Sequence, residues 1–263
     1  MNMQHLLFSL DAGVATLRLN RAEQLNSFNA QMQAEMIEAL HVISNLPSLR
    51  VLVLTGEGRG FCAGQDLKER SVSLQGAEID LSISLEHFYN PLIRLLRALP
   101  VPVICAVNGV AAGAGANIAL ACDLVLAARS STFIQAFCNI GLIPDSGGTW
   151  ALPRLMGLPR AKALCLLGLP LSAEQAEQYG LIYRCVDDAE LEQETQRLAT
   201  HLAKQPTYAL GLIKQALNGS FDNSFEQQLE LEKNLQQLAG RSEDYQEGVR
   251  AFMEKRAPHF KGK

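Results

Sequence analysis

The chain has 263 residues, more than one typical domain, and 48% of them are apolar, enough for one large core with an appendage. Its 23 basic side chains nearly cancel its 27 acidic ones, and no long basic run appears, which argues against a nucleic-acid or membrane surface and points to a small-molecule partner. Six scattered cysteines without a CxxC pair, a start without a basic-then-apolar segment, and apolar stretches too short to span a bilayer predict a cytoplasmic chain with reduced thiols.

Leu6–Leu10 and Val14–Leu19 read as two strands joined at Asp11-Ala12-Gly13, a hairpin. Met32, Met36, Leu40 and Ile43 fall at helical spacing behind Asn29, a candidate N-cap, and Val51–Leu54 is a strand. A second round follows. Phe88, Leu92, Leu95 and Leu99 mark a helix that Pro91 should kink, 101–107 is a buried strand, 116–121 a short apolar helix, and 123–127 another strand. Strands separated by helices predict parallel pairing, with ligands at the strand ends. From about Ala173 the chain turns helical, over 190–203, 208–217 and 225–238, with a short strand signal at 181–186. The expected division is a core over 1–200 that carries the site and a helical region over 201–263.

Two loops of small residues follow strands: Gly56 to Leu67, and Gly109-Val110-Ala111-Ala112-Gly113-Ala114-Gly115. Neither ends in Gly-Lys-Ser/Thr, and Phe61 and Ile118 stand where G-x-G-x-x-G needs its third glycine, so nucleotide-phosphate readings fall. Such loops serve tight turns, or let backbone N–H groups reach a ligand oxygen. Asp145 precedes Ser-Gly-Gly-Thr, a pattern that also suits a helix N-cap. The five histidines lie far apart without metal-ligand spacing, so no metal is expected.

Phe61-Cys62-Ala63-Gly64-Gln65-Asp66-Leu67, Asn108 to Gly115, and Ile143-Pro144-Asp145-Ser146-Gly147-Gly148-Thr149 resemble the three signature segments of the enoyl-CoA hydratase/isomerase (crotonase) superfamily. Leu19-Asn20-Arg21, Leu25-Asn26, Leu171 to Ala176 and the end from Glu247 to Arg256 extend the resemblance over nearly the whole chain; the usual proline after Arg21 is Ala22 here. It implies an α/β fold, a spiral of ββα units with a C-terminal helical oligomerisation region, forming a homotrimer or a dimer of trimers. It also implies an acyl-CoA substrate, with coenzyme A part of that substrate and no separate cofactor.

By position in the motifs, the main-chain N–H groups of Gln65 and Ala114 would form an oxyanion hole on the thioester. Gln24, Leu25, Ala63, Lys68, Phe252 and Lys255 would bind CoA, the two lysines as cations facing phosphates. Hydratases of the family use two glutamates. Asn117 and Phe137 stand at those positions, and neither side chain exchanges a proton near neutral pH. Asp145 then remains as the catalytic carboxylate, where some isomerases and a dehalogenase of the superfamily carry theirs. Phe88, Tyr89, Asn117, Phe137 and Trp150 are expected around the acyl group, with Phe137, Ile140 and Trp150 as apolar neighbours of Asp145.

Phe88 to Leu92, Ile143 to Trp150 and Ala239 to Ser242 further resemble the isomerases that convert ring-1,2-epoxyphenylacetyl-CoA to an oxepin in phenylacetate catabolism, and that also shift a 3-enoyl-CoA to a 2-enoyl-CoA. The alternatives are a fatty-chain 3,2-enoyl-CoA isomerase, an enoyl-CoA hydratase-like enzyme, dehalogenation through an aspartyl ester, and a non-catalytic acyl-CoA-binding scaffold.

Overall fold

The computed structural model describes residues 3–69 and 80–263. The chain opens with the expected hairpin: β1 (Leu6–Asp11) pairs antiparallel with β2 (Val14–Leu19). Its two-residue loop has positive φ at both positions, 46° at Ala12 and 84° at Gly13, the handedness that matches strand twist. Helix α1 (Ala30–Ser44) starts where the side chain of Asn29 accepts from the Met32 N–H, and buries Met32, Met36, Leu40 and Ile43.

After α1 the chain repeats one pattern, a long strand, then a short one, then helix. β3 (Val51–Gly56) leads to β4 (Gly60–Cys62), β5 (Val103–Val107) to β6 (Val110–Ala112), and β7 (Leu124–Ala128) to β8 (Thr132–Ile134). The long strands join a six-stranded sheet in the order β1-β2-β3-β5-β7-β10, parallel from β2 onward, with β10 at Arg184–Val186. The short ones build a second sheet, β4-β6-β8-β9, closed by β9 at Leu171–Ser172. This is the spiral of ββα units that the resemblance implies. Strands of two or three residues are too short to show a period, which is why sequence pattern missed the second sheet.

Both faces of the large sheet are covered, as parallel sheets require. Along β3, Leu52 and Leu54 pack toward α1, while Val51 and Val53 pack with Leu191 and Ala199 on the other side. Between the rounds lie α2 (Asn90–Ala98) and α3 (Ala114–Leu120); α4 (Gly148–Met156), α5 (Leu158–Leu167) and α6 (Ala173–Gln178) follow β8. Helix α7 (Leu191–Ala203) covers the second face; α8 (Thr207–Gly219), α9 (Phe225–Ala239) and α10 (Glu243–Met253) complete the chain.

Pro91 sits at the start of α2, where its missing N–H is no loss, and the preceding turn, Leu85–Tyr89, widens to a π-helix. Lys214 on α8 reaches the core, its Nζ lying 2.8 Å from Asp123 Oδ2 and donating to the carbonyls of Leu96 and Val101. The terminal residues fold back: Lys261 and Gly262 donate their N–H groups to Asp244, and Arg50 donates to the carbonyls of Gln205 and Phe260.

Candidate active site

Strained backbone marks the first wall. Leu25 and Asn26 have φ of 49° and 55°, a conformation that L-residues resist. Asn26, fully buried, holds it: its Nδ2 donates to the carbonyls of Glu57 and Gly60, and its Oδ1 accepts from the Arg21 N–H. The carbonyl of Leu25 thereby accepts the Ala63 N–H at 2.9 Å, so Leu25 and Ala63 adjoin, with exposed Gln24 beside them. Lys68 is exposed, its N–H donated to Asp66 Oδ1. Burial pushes the Asp66 carboxyl up, but the Arg21 guanidinium 3.0 Å away outweighs it and holds the group below the usual range.

Gln65 follows in a short parallel bridge to Phe28. Phe28 donates to the Gly64 carbonyl and Asp66 donates to the Phe28 carbonyl, so the Gln65 N–H, alternating with them along an extended chain, points the other way. The Gln65 side chain is pinned: its Oε1 accepts from Tyr89 Oη at 2.8 Å and from Gln33 Nε2 at 2.9 Å. Gly64, at φ 86°, lies so close to the neighbouring loop that a Cβ there would stand 2.9 Å from the Ala112 carbonyl and 3.3 Å from the Ala114 nitrogen. The loops bearing the Gln65 and Ala114 amides are in contact. Ala114 opens α3, and the first-turn N–H groups of a helix have no intrahelical acceptor.

Asp145 reaches this region through α3. Its main-chain carbonyl accepts from Asn117 Nδ2 at 2.8 Å, and Asn117 lies one turn after Ala114 on the same helix face. Asp145 is not the N-cap of α4; that position belongs to Gly147, in the left-handed conformation with no side-chain cap bond. The Asp145 carboxylate instead accepts from Ser146 Oγ at 2.8 Å. Ser146 is buried at φ 51°, so the turn that presents the carboxylate is itself strained.

The acyl-pocket residues separate. Phe137 is buried with its ring 3.7 Å from where a Gly113 Cβ would be, beside the Ala114 loop. Phe88 and Tyr89 are buried and stack with Phe28, their ring centroids 4.7 Å apart, as core; only the Tyr89 hydroxyl is bonded to Gln65. The Asn117 amide is engaged by Asp145 and by Gln135: its Nδ2 donates to the Asp145 carbonyl, and Gln135 Nε2 donates to its Oδ1 at 2.8 Å.

Trp150 packs among cations. Its ring lies between the guanidinia of Arg97 and Arg154, at 4.6 and 4.1 Å, and lines a cavity of about 520 Å³ against α8. Trp150 lies in the first turn of α4 and faces the helical region. Ile140 is half exposed. Phe252 and Lys255 are exposed at the end of α10, whose first turn is tied through Lys261 and Gly262 to the start of β3, whereas Leu25 and Ala63 sit beyond its other end.

Ser146, Gln135 and Gln33 were not legible as site residues. Gln135 and Gln33 bond partners 18 and 32 positions away in the chain, whereas Ser146 bonds its own neighbour, Asp145. Among the described residues no cluster of His, Cys, Asp and Glu could hold a metal ion, and no helix is long and apolar enough to cross a membrane.

The decisive comparison is with the family described as enoyl-CoA hydratase/isomerase, which the sequence matches over residues 9–263. The chain belongs to the enoyl-CoA hydratase/isomerase family. Among relatives, it is 57% identical to the 1,2-epoxyphenylacetyl-CoA isomerase of Escherichia coli (strain K12), over 99% of this chain and 100% of that one. It is 35% identical to the trans-2-decenoyl-[acyl-carrier-protein] isomerase of Streptococcus mutans, over the full length of both. A crystal structure of an enoyl-CoA hydratase/isomerase from Mycobacterium abscessus superposes with a TM-score of 0.94, at 35% identity, over 98% of this chain and 100% of that one.

Proposed function

We propose that the chain is an isomerase of CoA thioesters that converts ring-1,2-epoxyphenylacetyl-CoA to the oxepin and also shifts a 3-enoyl-CoA to a 2-enoyl-CoA. One observation carries this reading: Asp145, its carboxylate held by Ser146, adjoins the Ala114 turn, while the two positions that hydratases fill with glutamates hold an amide and a phenyl ring. Activating water takes a group that can accept its proton, which Asn117 and Phe137 lack. An isomerisation adds no atom, so one carboxylate suffices. The 57% identity with a 1,2-epoxyphenylacetyl-CoA isomerase supports the ring epoxide as substrate.

In the double-bond shift, the thioester oxygen accepts from the Gln65 and Ala114 N–H groups, which stabilises negative charge there and acidifies the adjacent carbon. Asp145 takes a proton from C2; the electrons delocalise over the dienolate, and Asp145 returns the proton at C4. Leu25, Ala63, Gln24 and Lys68 form the CoA-binding wall, with coenzyme A entering as part of the substrate. Phe252 and Lys255 complete that wall in a homotrimer or dimer of trimers.

The test offers ring-1,2-epoxyphenylacetyl-CoA and, separately, a 3-enoyl-CoA to wild type and to Asp145→Ala. Wild type should turn over both, and the variant should lose roughly 10²- to 10⁴-fold in kcat, the range for a missing general base. Activity surviving in the variant removes Asp145 from the mechanism. Binding without turnover by wild type favours a non-catalytic acyl-CoA scaffold.

A further inference from the structure

Two amides stand behind Asp145 with almost no access to solvent, Asn117 at 2% and Gln135 at 1% exposure. Buried amides are tolerated where hydrogen bonds satisfy them, and here the bonds run in one direction. Gln135 Nε2 donates to Asn117 Oδ1, and Asn117 Nδ2 donates to the main-chain carbonyl of Asp145, each at 2.8 Å. A carbonyl can only accept. Asn117 must therefore turn its NH2 toward Asp145 and its oxygen toward Gln135, and the Gln135 NH2 selects that orientation.

The same residues grip the Ala114 loop through the main chain. The Asn117 N–H donates to the Gly113 carbonyl, and the Gly113 N–H donates to the carbonyl of Ile134, the residue before Gln135. Space for the bond to Asp145 is reserved as well: a Cβ on Gly148 would stand 2.3 Å from Asn117 Nδ2. Gly148 also donates its N–H to the Asp145 carbonyl, at 2.9 Å, so that carbonyl is held by two donors.

We propose that Gln135 and Asn117 are positioning residues, a relay that sets the Asp145 carboxylate in register with the Ala114 amide. The proposal rests on Asp145 being the proton carrier. Asn117 acts through the main chain of Asp145, and Gln135 acts through Asn117. Where a hydratase carries a proton-exchanging glutamate, this chain uses the position to aim a carboxylate supplied by the next loop. Displacing a catalytic group by about an ångström costs up to roughly 100-fold in rate, which sets the scale of the effect.

The experiment measures kcat and KM on a 3-enoyl-CoA for wild type, Asp145→Asn, Asn117→Ala, Gln135→Met and the double variant of the last two, with thermal melts on each. Asn117→Ala should lower kcat by about 10- to 100-fold with KM changed by less than about 3-fold. Gln135→Met keeps the volume and removes a buried Oε1 that has no hydrogen-bond partner among the described residues, so it should fold even if Asn117→Ala does not. It should lower kcat by about 3- to 10-fold, and in the Asn117→Ala background it should lower kcat no further, because the relay is already broken.

Additive losses in the double variant, or a wild-type kcat in folded Asn117→Ala or Gln135→Met, would overturn the relay. The Asp145→Asn control separates the two readings. Full activity there removes the proton-carrier role, whereas an inactive Asp145→Asn beside an unimpaired Gln135→Met removes only the relay.

Discussion

Ser146 couples strain to a functional contact: its φ of 51° is unfavourable for a residue with a Cβ, yet its hydroxyl bonds the Asp145 carboxylate. Replacing it separates the two effects. Ser146→Gly should relieve about 1 kcal/mol of backbone strain and raise the melting temperature, while lowering kcat because the carboxylate loses its tether; a melt and a kcat measured together check this. At Asp66 the sign of the pH effect follows from Arg21. The folded carboxyl lies below its ordinary 3.8, so its stabilisation is fully present above that value and is lost as pH falls through the depressed folded value. Urea titrations of wild type and Asp66→Asn should therefore show a stability gap at neutral pH that closes in strong acid. Position 145 was legible in the sequence because its motif is local. The pairing of Gln135 and Asn117 behind it was not, because their hydrogen bonds join residues 18 and 28 apart in the chain.

Secondary elements place these groups by where they end. β3 and β5 run parallel, so their following loops emerge on one side, and the short β4 and β6 pair to bring Gly64 against the Ala112–Ala114 turn. Gly64→Ala should push the loops apart, costing about 1–3 kcal/mol in stability and lowering kcat by more than the stability loss explains, as kinetics at saturating substrate would show. Helix α8 carries one cation into a largely buried setting: burial pushes the Asp123 carboxyl up, and Lys214 opposes that rise. Lys214→Met should cost about 3 kcal/mol, the low end for breaking a buried pair with one partner partly open to water, and should loosen α8 as read by hydrogen exchange. Long strands and helices announced themselves by period. The π-turn before Pro91 did not, since Pro91 restricts the chain without saying which turn absorbs the restriction.

At the scale of the whole molecule, apolar side chains remain uncovered on the C-terminal helices: Phe225 is 74% exposed, Leu217 65% and Phe252 82%. The proposed trimer is tested by light scattering, which should give a mass three or six times that of the chain; a monomer at micromolar concentration would contradict the assembly. The sequence by itself determined the family, the parallel α/β core and the candidate carboxylate, because apolar period and short contiguous motifs are local properties that survive without coordinates. Only the tertiary structure decided that Asp145 is not a helix cap, that Trp150 packs against Arg97 and Arg154 in a cavity beside α8, and that Asn117 grips a main chain. Each of these depends on the direction a side chain takes from its helix or turn, and that direction is set by packing between segments that the linear order keeps apart.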